Sequence, residues 1–164
     1  MQVRNAEARD ADALARIYNP YITSTVITFE EDPVDAPEMA RRVGGVQDAG
    51  LVWLVMEDDA GVAGYAYATT WRTRAAYRHS VETAVYLPPD RFRSGVGSTL
   101  YLALAERLAT RGIRAMLGCI ALPNEPSVAL HEKLGFEKVG HFPGVGRKFD
   151  RWIDVGFWQL NLSR

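Results

Sequence analysis

Three observations predict a single α/β domain with a mixed sheet. Apolar runs of strand length alternate with helix-period segments along all 164 residues. No repeat, low-complexity tract or linker-like break interrupts them, so residues 1–164 read as one domain. Hydrophobic residues make up 48% of the chain, which is ample for one core at this length and argues against disorder.

In order, "QVRN" at 2–5 reads as a first strand. Leu14, Ile17, Tyr18, Tyr21 and Ile22 then fall on one face of an amphipathic helix, with Asp10 its expected cap and Pro20 expected to bend or break it. A second helix begins near "DAPEMARRV", where Asp35 and Glu38 have capping-box spacing and Pro37 sits in the tolerated first turn. "LVWLVMEDDAGVAGYAYATTW" gives two strands joined by an Asp/Gly turn, a hairpin signal. After the charged segment "RTRAAYRH" comes the strand "SVETAVYL". A glycine turn opens a helix carrying Leu100, Leu104 and Leu108 on one face and stopping at Gly112. "AMLGCIA" is a buried strand, "NEPSVALHEKLG" a helix stopped by Gly135, and "RWIDVGFWQLNL" a final strand. The intervening "PGVGRKFDR" is expected to be a loop near the site, with no role assigned to Arg147 or Lys148.

Charge and composition exclude several classes. A net charge of −1 gives no reason to expect nucleic acid or an anionic membrane as partner. No apolar run approaches the roughly 20 residues of a spanning helix, and no secretory signal opens the chain. Cys119 is the only cysteine, so an intrachain disulfide is impossible and a reducing cytoplasm is expected. His79, His131 and His141 are too far apart in sequence to resemble a zinc site, and no metal is expected.

The stretch "PPDRFRSGVGSTLY" carries Gly95 and Gly97 between a strand and a helix. A dinucleotide fingerprint needs a third glycine where Leu100 stands, and a Walker A loop needs a lysine that is missing before Ser98. What remains is a helix N-terminus whose free N–H groups and dipole suit a phosphate, with Arg91 and Arg93 adding charge. A plain strand-to-helix turn is the alternative.

Glu82 lies within an apolar strand, sharing a face with Ser80, Ala84 and Tyr86. A carboxylate there is either in an ion pair with an arginine or a general base whose pKa burial raises. His131 is on the inward side of its helix, as a core histidine or a second proton-transfer group should it share Glu82's cleft. Arg72, Arg74 and Arg78 cluster with Tyr77 just before Glu82 and are either a solvated loop or forks for an anionic substrate. Cys119 reads as inert packing in a buried strand rather than a nucleophile.

Together, "SGVGSTLY", "LPNEPSVALHEKLGF" and the strands around them resemble the GNAT acetyltransferase superfamily. With "WIDVGFWQLNL" and "IYNPYITSTVITFEE", the chain is similar over nearly its whole length to the phosphinothricin and methionine sulfoximine/sulfone N-acetyltransferases. The resemblance implies the GNAT fold, a mostly antiparallel central sheet flanked by helices, and a homodimer. It implies an acetyl-CoA site at Val85, Tyr86 and Leu87 for the pantetheine arm, at Arg93, Ser94, Gly95, Val96, Gly97 and Ser98 for the pyrophosphate, and at Asn124 and Lys133. It implies Glu82 and His131 as catalytic residues. It places the amino-acid substrate against Phe29, Arg72, Thr73, Arg74, Tyr77, Glu82, Thr83 and Ala84, with the arginines clamping its carboxylate and tetrahedral group. Phe92 departs from the Gln or Arg that the superfamily has three residues before the first glycine. The alternatives are an acetyltransferase for protein or peptide amines and a non-catalytic acyl-CoA-binding domain.

Overall fold

A computed structural model describes residues 1–162. The last two residues of the domain expected over 1–164 lie outside the described residues. The strands are β1 (Gln2–Asn5), β2 (Trp53–Asp58), β3 (Gly61–Thr70), β4 (Ser80–Tyr86), β5 (Ala115–Leu122), β6 (Glu137–Lys148) and β7 (Arg151–Asn161). The helices are α1 (Ala11–Ser24), α2 (Ala36–Asp48), α3 (Val96–Ala109) and α4 (Glu125–Lys133). One seven-stranded sheet has the order β1-β2-β3-β4-β5-β7-β6. Every neighbouring pair is antiparallel except β4–β5, which is parallel and connected through α3.

Strand alternation divides the core in two. Leu54, Met56, Ala66, Ala68, Val81 and Met116 pack with Leu100, Leu104 and Leu108 of α3. Trp53, Val55 and Tyr65, one residue out of phase, pack with Leu14, Tyr18 and Ile22 of α1 and Met39 and Val43 of α2. Neighbouring residues of one strand therefore belong to opposite sides of the molecule. That rule decides which candidate residues meet.

Three local expectations are corrected. Asp10 occupies the N-cap position of α1 without a capping bond, since its carboxylate accepts from Arg4 at 2.8 Å and from the Glu7 N–H. Pro20 does not end α1; it and Arg16, whose carbonyl loses a donor, are both on the exposed side where water replaces the bond. The segment "PGVGRKFDR" is not a loop. It forms the end of β6 and a two-residue turn in which Phe149 and Asp150 take φ of 50° and 56°, the signs that a type I′ hairpin needs. Pro143 and the glycines fall at a register shift between Phe142 and Gly146 on an edge strand, where a proline costs no ladder bond.

Candidate active site

The β4–β5 ladder is short. Its pairs run from Ser80↔Ala115 to Thr83↔Gly118 and stop, although β4 continues to Tyr86 and β5 to Leu122. Beyond that point each strand is held from its other side, β4 by β3 as far as Tyr86 and β5 by β7 as far as Leu122. The strands part, leaving the facing edges of Ala84–Tyr86 and Cys119–Leu122 without a strand partner. Val85 and Tyr86 lie on this free edge and Leu87 just past it.

Glu82 sits at the mouth of the gap. It is opposite Thr69 on β3 and beside Leu117 on β5, so its side chain is on the α1/α2 side with Tyr67, Ala84 and Trp53. The carboxylate is half-buried and has neither hydrogen bond nor ion pair among the described residues. Burial alone raises its pKa above the usual carboxylate value. The ion pair with arginine that would explain it structurally is not formed.

Thr83 points the other way and is buried, its hydroxyl donating to the Leu117 carbonyl at 3.3 Å. His131 is on that same α3/α4 side, 3% exposed, against Gly118, where a Cβ would lie 2.5 Å from its Nε2. Its Nδ1–H donates to the Ser127 carbonyl at 2.7 Å, which leaves Nε2 to accept from the Tyr101 hydroxyl at 3.1 Å. Burial pushes its pKa down, so the ring is neutral. Glu82 and His131 therefore do not share a cleft; the sheet lies between them.

At the helix turn, Gly95 has φ of 86° and open space around its Cα, while Gly97 is helical and buried. A Cβ on Gly97 would meet Leu130 of α4 at 3.3 Å, so this glycine serves the close packing of α3 on α4 rather than an approach to a ligand. The N–H groups of Gly97 and Ser98 have no partner among the described residues. Ser94 Oγ donates to the Arg91 carbonyl at 2.5 Å, and Val96 is part of the core. Arg91 is committed to Asp58 at 2.7 Å, whereas Arg93 is exposed and has no ion pair among the described residues. Asn124 caps α4 by accepting from the Ser127 N–H at 3.3 Å. Lys133 is exposed at the other end of that helix, about 13 Å away along nine residues.

Arg72, Thr73, Arg74 and Tyr77 are all exposed in the β3–β4 connection, with the Arg72 guanidinium 5.1 Å from the centre of the Trp71 ring. Phe29 lies against Gly146 of β6, where its ring fills the space of the missing Cβ. Its segment is tied from both sides. Lys148, 2% exposed, donates to the Thr28 carbonyl at 2.8 Å, and Glu30 accepts from Arg42 at 2.6 Å and from the Tyr18 hydroxyl. Lys148 thus has a role that sequence reading did not assign, while Arg147 pairs with Asp150 at 3.0 Å on the turn. Cys119 is exposed, not packed away, on the Glu82 side of β5, and burial of its sulfur together with the Glu82 charge pushes its thiol up to about 11. A thiolate nucleophile is not supported.

Sequence reading also missed a wall of Trp53, Tyr65, Tyr67 and Thr69. Trp53 stacks on Tyr67 with ring centres 4.2 Å apart and on Tyr65 at 5.6 Å. The period-2 placing of Tyr65, Tyr67 and Thr69 was the available signal. These residues line a cavity of about 470 Å³ between α2 and the sheet, bordered by Arg41 and Arg42. Among the described residues no helix is long and apolar enough to cross a membrane.

Comparison with known proteins agrees with this geometry. The chain matches the family described as "Acetyltransferase (GNAT) domain" over residues 3–156. It is 40% identical to a phosphinothricin N-acetyltransferase of Streptomyces viridochromogenes, over 99% of this chain and 88% of that protein. It is 38% identical to an L-methionine sulfoximine/L-methionine sulfone acetyltransferase of Pseudomonas paraeruginosa, over 98% and 94%. A GNAT superfamily phosphinothricin acetyltransferase from Sinorhizobium meliloti, solved with acetyl-CoA, superposes with a TM-score of 0.94 at 37% identity, covering 99% of this chain and 88% of that one. A shared fold, a parted β4–β5 pair and full-length similarity lead to one assignment: the chain belongs to the GNAT acetyltransferase family.

Proposed function

We propose that this protein transfers the acetyl group of acetyl-CoA to the α-amino group of a small amino acid bearing a phosphinyl, sulfoximine or sulfone group. The observation that carries the reading is Glu82: a half-buried carboxylate with no partner among the described residues, at the place where the sheet opens. Acetyl-CoA fits the features around it. The free edge of β4 at Val85 and Tyr86, with Leu87 just past it, offers backbone partners to an amide-bearing arm, while the N–H groups of Gly97 and Ser98 and the Arg93 charge suit a pyrophosphate. Bound there, it supplies an activated acyl group.

An α-amino group has a pKa near 8, so most of it is protonated at neutral pH. Glu82 would accept that proton, directly or through one water, freeing the lone pair to attack the thioester carbonyl. The new C–N bond would replace the C–S bond, and coenzyme A would leave as a thiolate that takes up the second proton the nitrogen sheds on acylation. Arg72 and Arg74, exposed in the connection that leads into the Glu82 strand and without ion pairs among the described residues, hold the substrate carboxylate. His131 lies on the other side of the sheet, where it holds the Tyr101 hydroxyl, which sits beside Thr83. A reducing cytoplasm suits the unpaired, exposed Cys119. A homodimer is supported by the apolar side chains that β6, β7 and their turn expose, among them Phe142, Phe149 and Trp152.

The test is release of coenzyme A thiol from acetyl-CoA with phosphinothricin, methionine sulfoximine, methionine sulfone, common amino acids, spermidine and a peptide amine as acceptors. Turnover confined to the oxidised amino acids, and lost in Arg74→Ala, is the expected result. High activity on spermidine or the peptide alone would replace this reading with a different acceptor class.

A further inference from the structure

The cavity between α2 and the β2–β3 part of the sheet has no place in the reaction as derived so far. Its lining combines stacked aromatic rings with donors that no described residue satisfies. Trp53 Nε1 is the sole buried side-chain nitrogen or oxygen among the described residues without a hydrogen-bond partner. Native proteins rarely leave such a group unpaired. The Tyr67 hydroxyl beside it also has no partner among the described residues, and burial raises its pKa, so it remains an O–H donor at working pH. The two arginines on the rim are ion-paired, Arg41 with Glu38 and Arg42 with Glu30 and Glu38.

The cavity also begins next to the proposed base. Thr69, one of its walls, is the cross-strand partner of Glu82, which puts their Cβ atoms about 5 Å apart. Tyr67 is two residues back along β3, about 7 Å, and Trp53 is its partner on β2. An amino acid with its nitrogen at Glu82 and a side chain of four or five atoms reaches this depth. What the wall offers such a side chain is apolar ring faces along its length and neutral donors towards its end.

Building on the acetyl-transfer reading, we infer that this cavity binds the side chain of the acceptor amino acid, with the Tyr67 hydroxyl and Trp53 Nε1–H donating to oxygens on its terminal sulfur or phosphorus. The carboxylate and the oxidised head group are then held separately, the first by the arginines after β3 and the second by the aromatic wall. A thioether or alkyl side chain of the same length leaves both donors unpaired, so the cavity selects for the oxidised atom.

The test is binding of methionine sulfone and of methionine, by calorimetry on the full chain with coenzyme A present and no acetyl donor. The wild type should bind the sulfone more tightly. Tyr67→Phe and Trp53→Phe, which keep the ring stack, should each weaken sulfone binding about tenfold and leave methionine binding unchanged, with thermal midpoints near that of the wild type. Equal sulfone affinity in the folded variants, or a wild type that does not prefer the sulfone, overturns the inference. Acetyl transfer measured on the same samples separates the two claims. Sulfone-selective binding without transfer leaves the cavity standing and removes the function, whereas transfer to the sulfone with no effect of either variant does the reverse.

Discussion

Replacing Glu82 by Gln should cost activity and add stability, and the same cause predicts both. The side chain keeps its size and position on β4 but can no longer accept a proton. Loss of general-base catalysis lowers turnover about 10² to 10⁴-fold, equivalent to about 3–5 kcal/mol in the barrier at 1.36 kcal/mol per factor of ten. In the wild type, activity should fall as pH drops through the raised pKa of Glu82, because the protonated acid cannot act as a base. That acid limb should vanish in the variant.

The stability effect has the opposite sign. No partner among the described residues compensates the half-buried charge, and the folded-state pKa is above the unfolded one. As pH rises from the ordinary carboxylate value through the folded pKa, the unfolded chain ionises first, and stability falls to a lower plateau. The neutral amide of Glu82→Gln has no such fall. At neutral pH the variant should therefore melt higher than the wild type, by an amount that water at a half-buried site keeps small. Turnover and thermal melts at pH 5 to 8.5 measure both. A variant within tenfold of wild-type turnover, or one that melts lower at neutral pH, would refute the argument, the second by revealing a native partner for the carboxylate.

Gly118→Ala should be destabilising, because its Cβ would lie 2.5 Å from a buried histidine ring held by two hydrogen bonds. Overpacking of this kind costs about 1–3 kcal/mol, or about 2–12 °C in midpoint at this length. In His131→Ala the same substitution should be nearly neutral, and additivity of the two would show that they do not meet. Arg93→Ala should weaken acetyl-CoA binding about fivefold at low salt and less at high salt, as expected of an exposed charge. Arg91→Ala, whose partner is Asp58, should lower stability instead, so a titration that ranks the two variants the other way would reassign the pyrophosphate contact.

Most elements were legible because period and punctuation agree: the β2–β3 hairpin, α2 with its Asp35 cap, and α3 after its glycine turn all stand where the pattern put them. β6 was not: its first half was not read as an element, and in its second half Pro143, Gly144 and Gly146 are turn residues by composition that only an edge position makes acceptable in a strand. Alternation along β4 sorted its residues into two faces but not what each face meets. Adjacent residues 82 and 83 look alike in a strand pattern, yet one faces α1 and α2 and the other α3 and α4. The aromatic wall was hidden for a different reason. Trp53 comes from β2 while Tyr65 and Tyr67 come from β3, and only the pairing register brings their rings together.

A sheet that keeps the two sides of a reaction apart must also let them meet. Glu82 and the aromatic cavity are on the α1/α2 side, whereas the α3 N-terminus, Thr83 and His131 belong to the α3/α4 side. Had β4 and β5 stayed paired to their ends, the ladder would seal one side from the other. Outward pairing prevents this, since β3 holds β4 and β7 holds β5 through the very residues that part. Leu87, wedged against Gly64 and Gly97, fixes the end of β4 to α3, and the absence of side chains at those two glycines is what admits it. The opening is thus a property of the register and of a few small residues. Closing it would require breaking ladders on both flanks; on the proposed reading, an acyl group entering from one side and an amine from the other meet in a gap that exists before either binds.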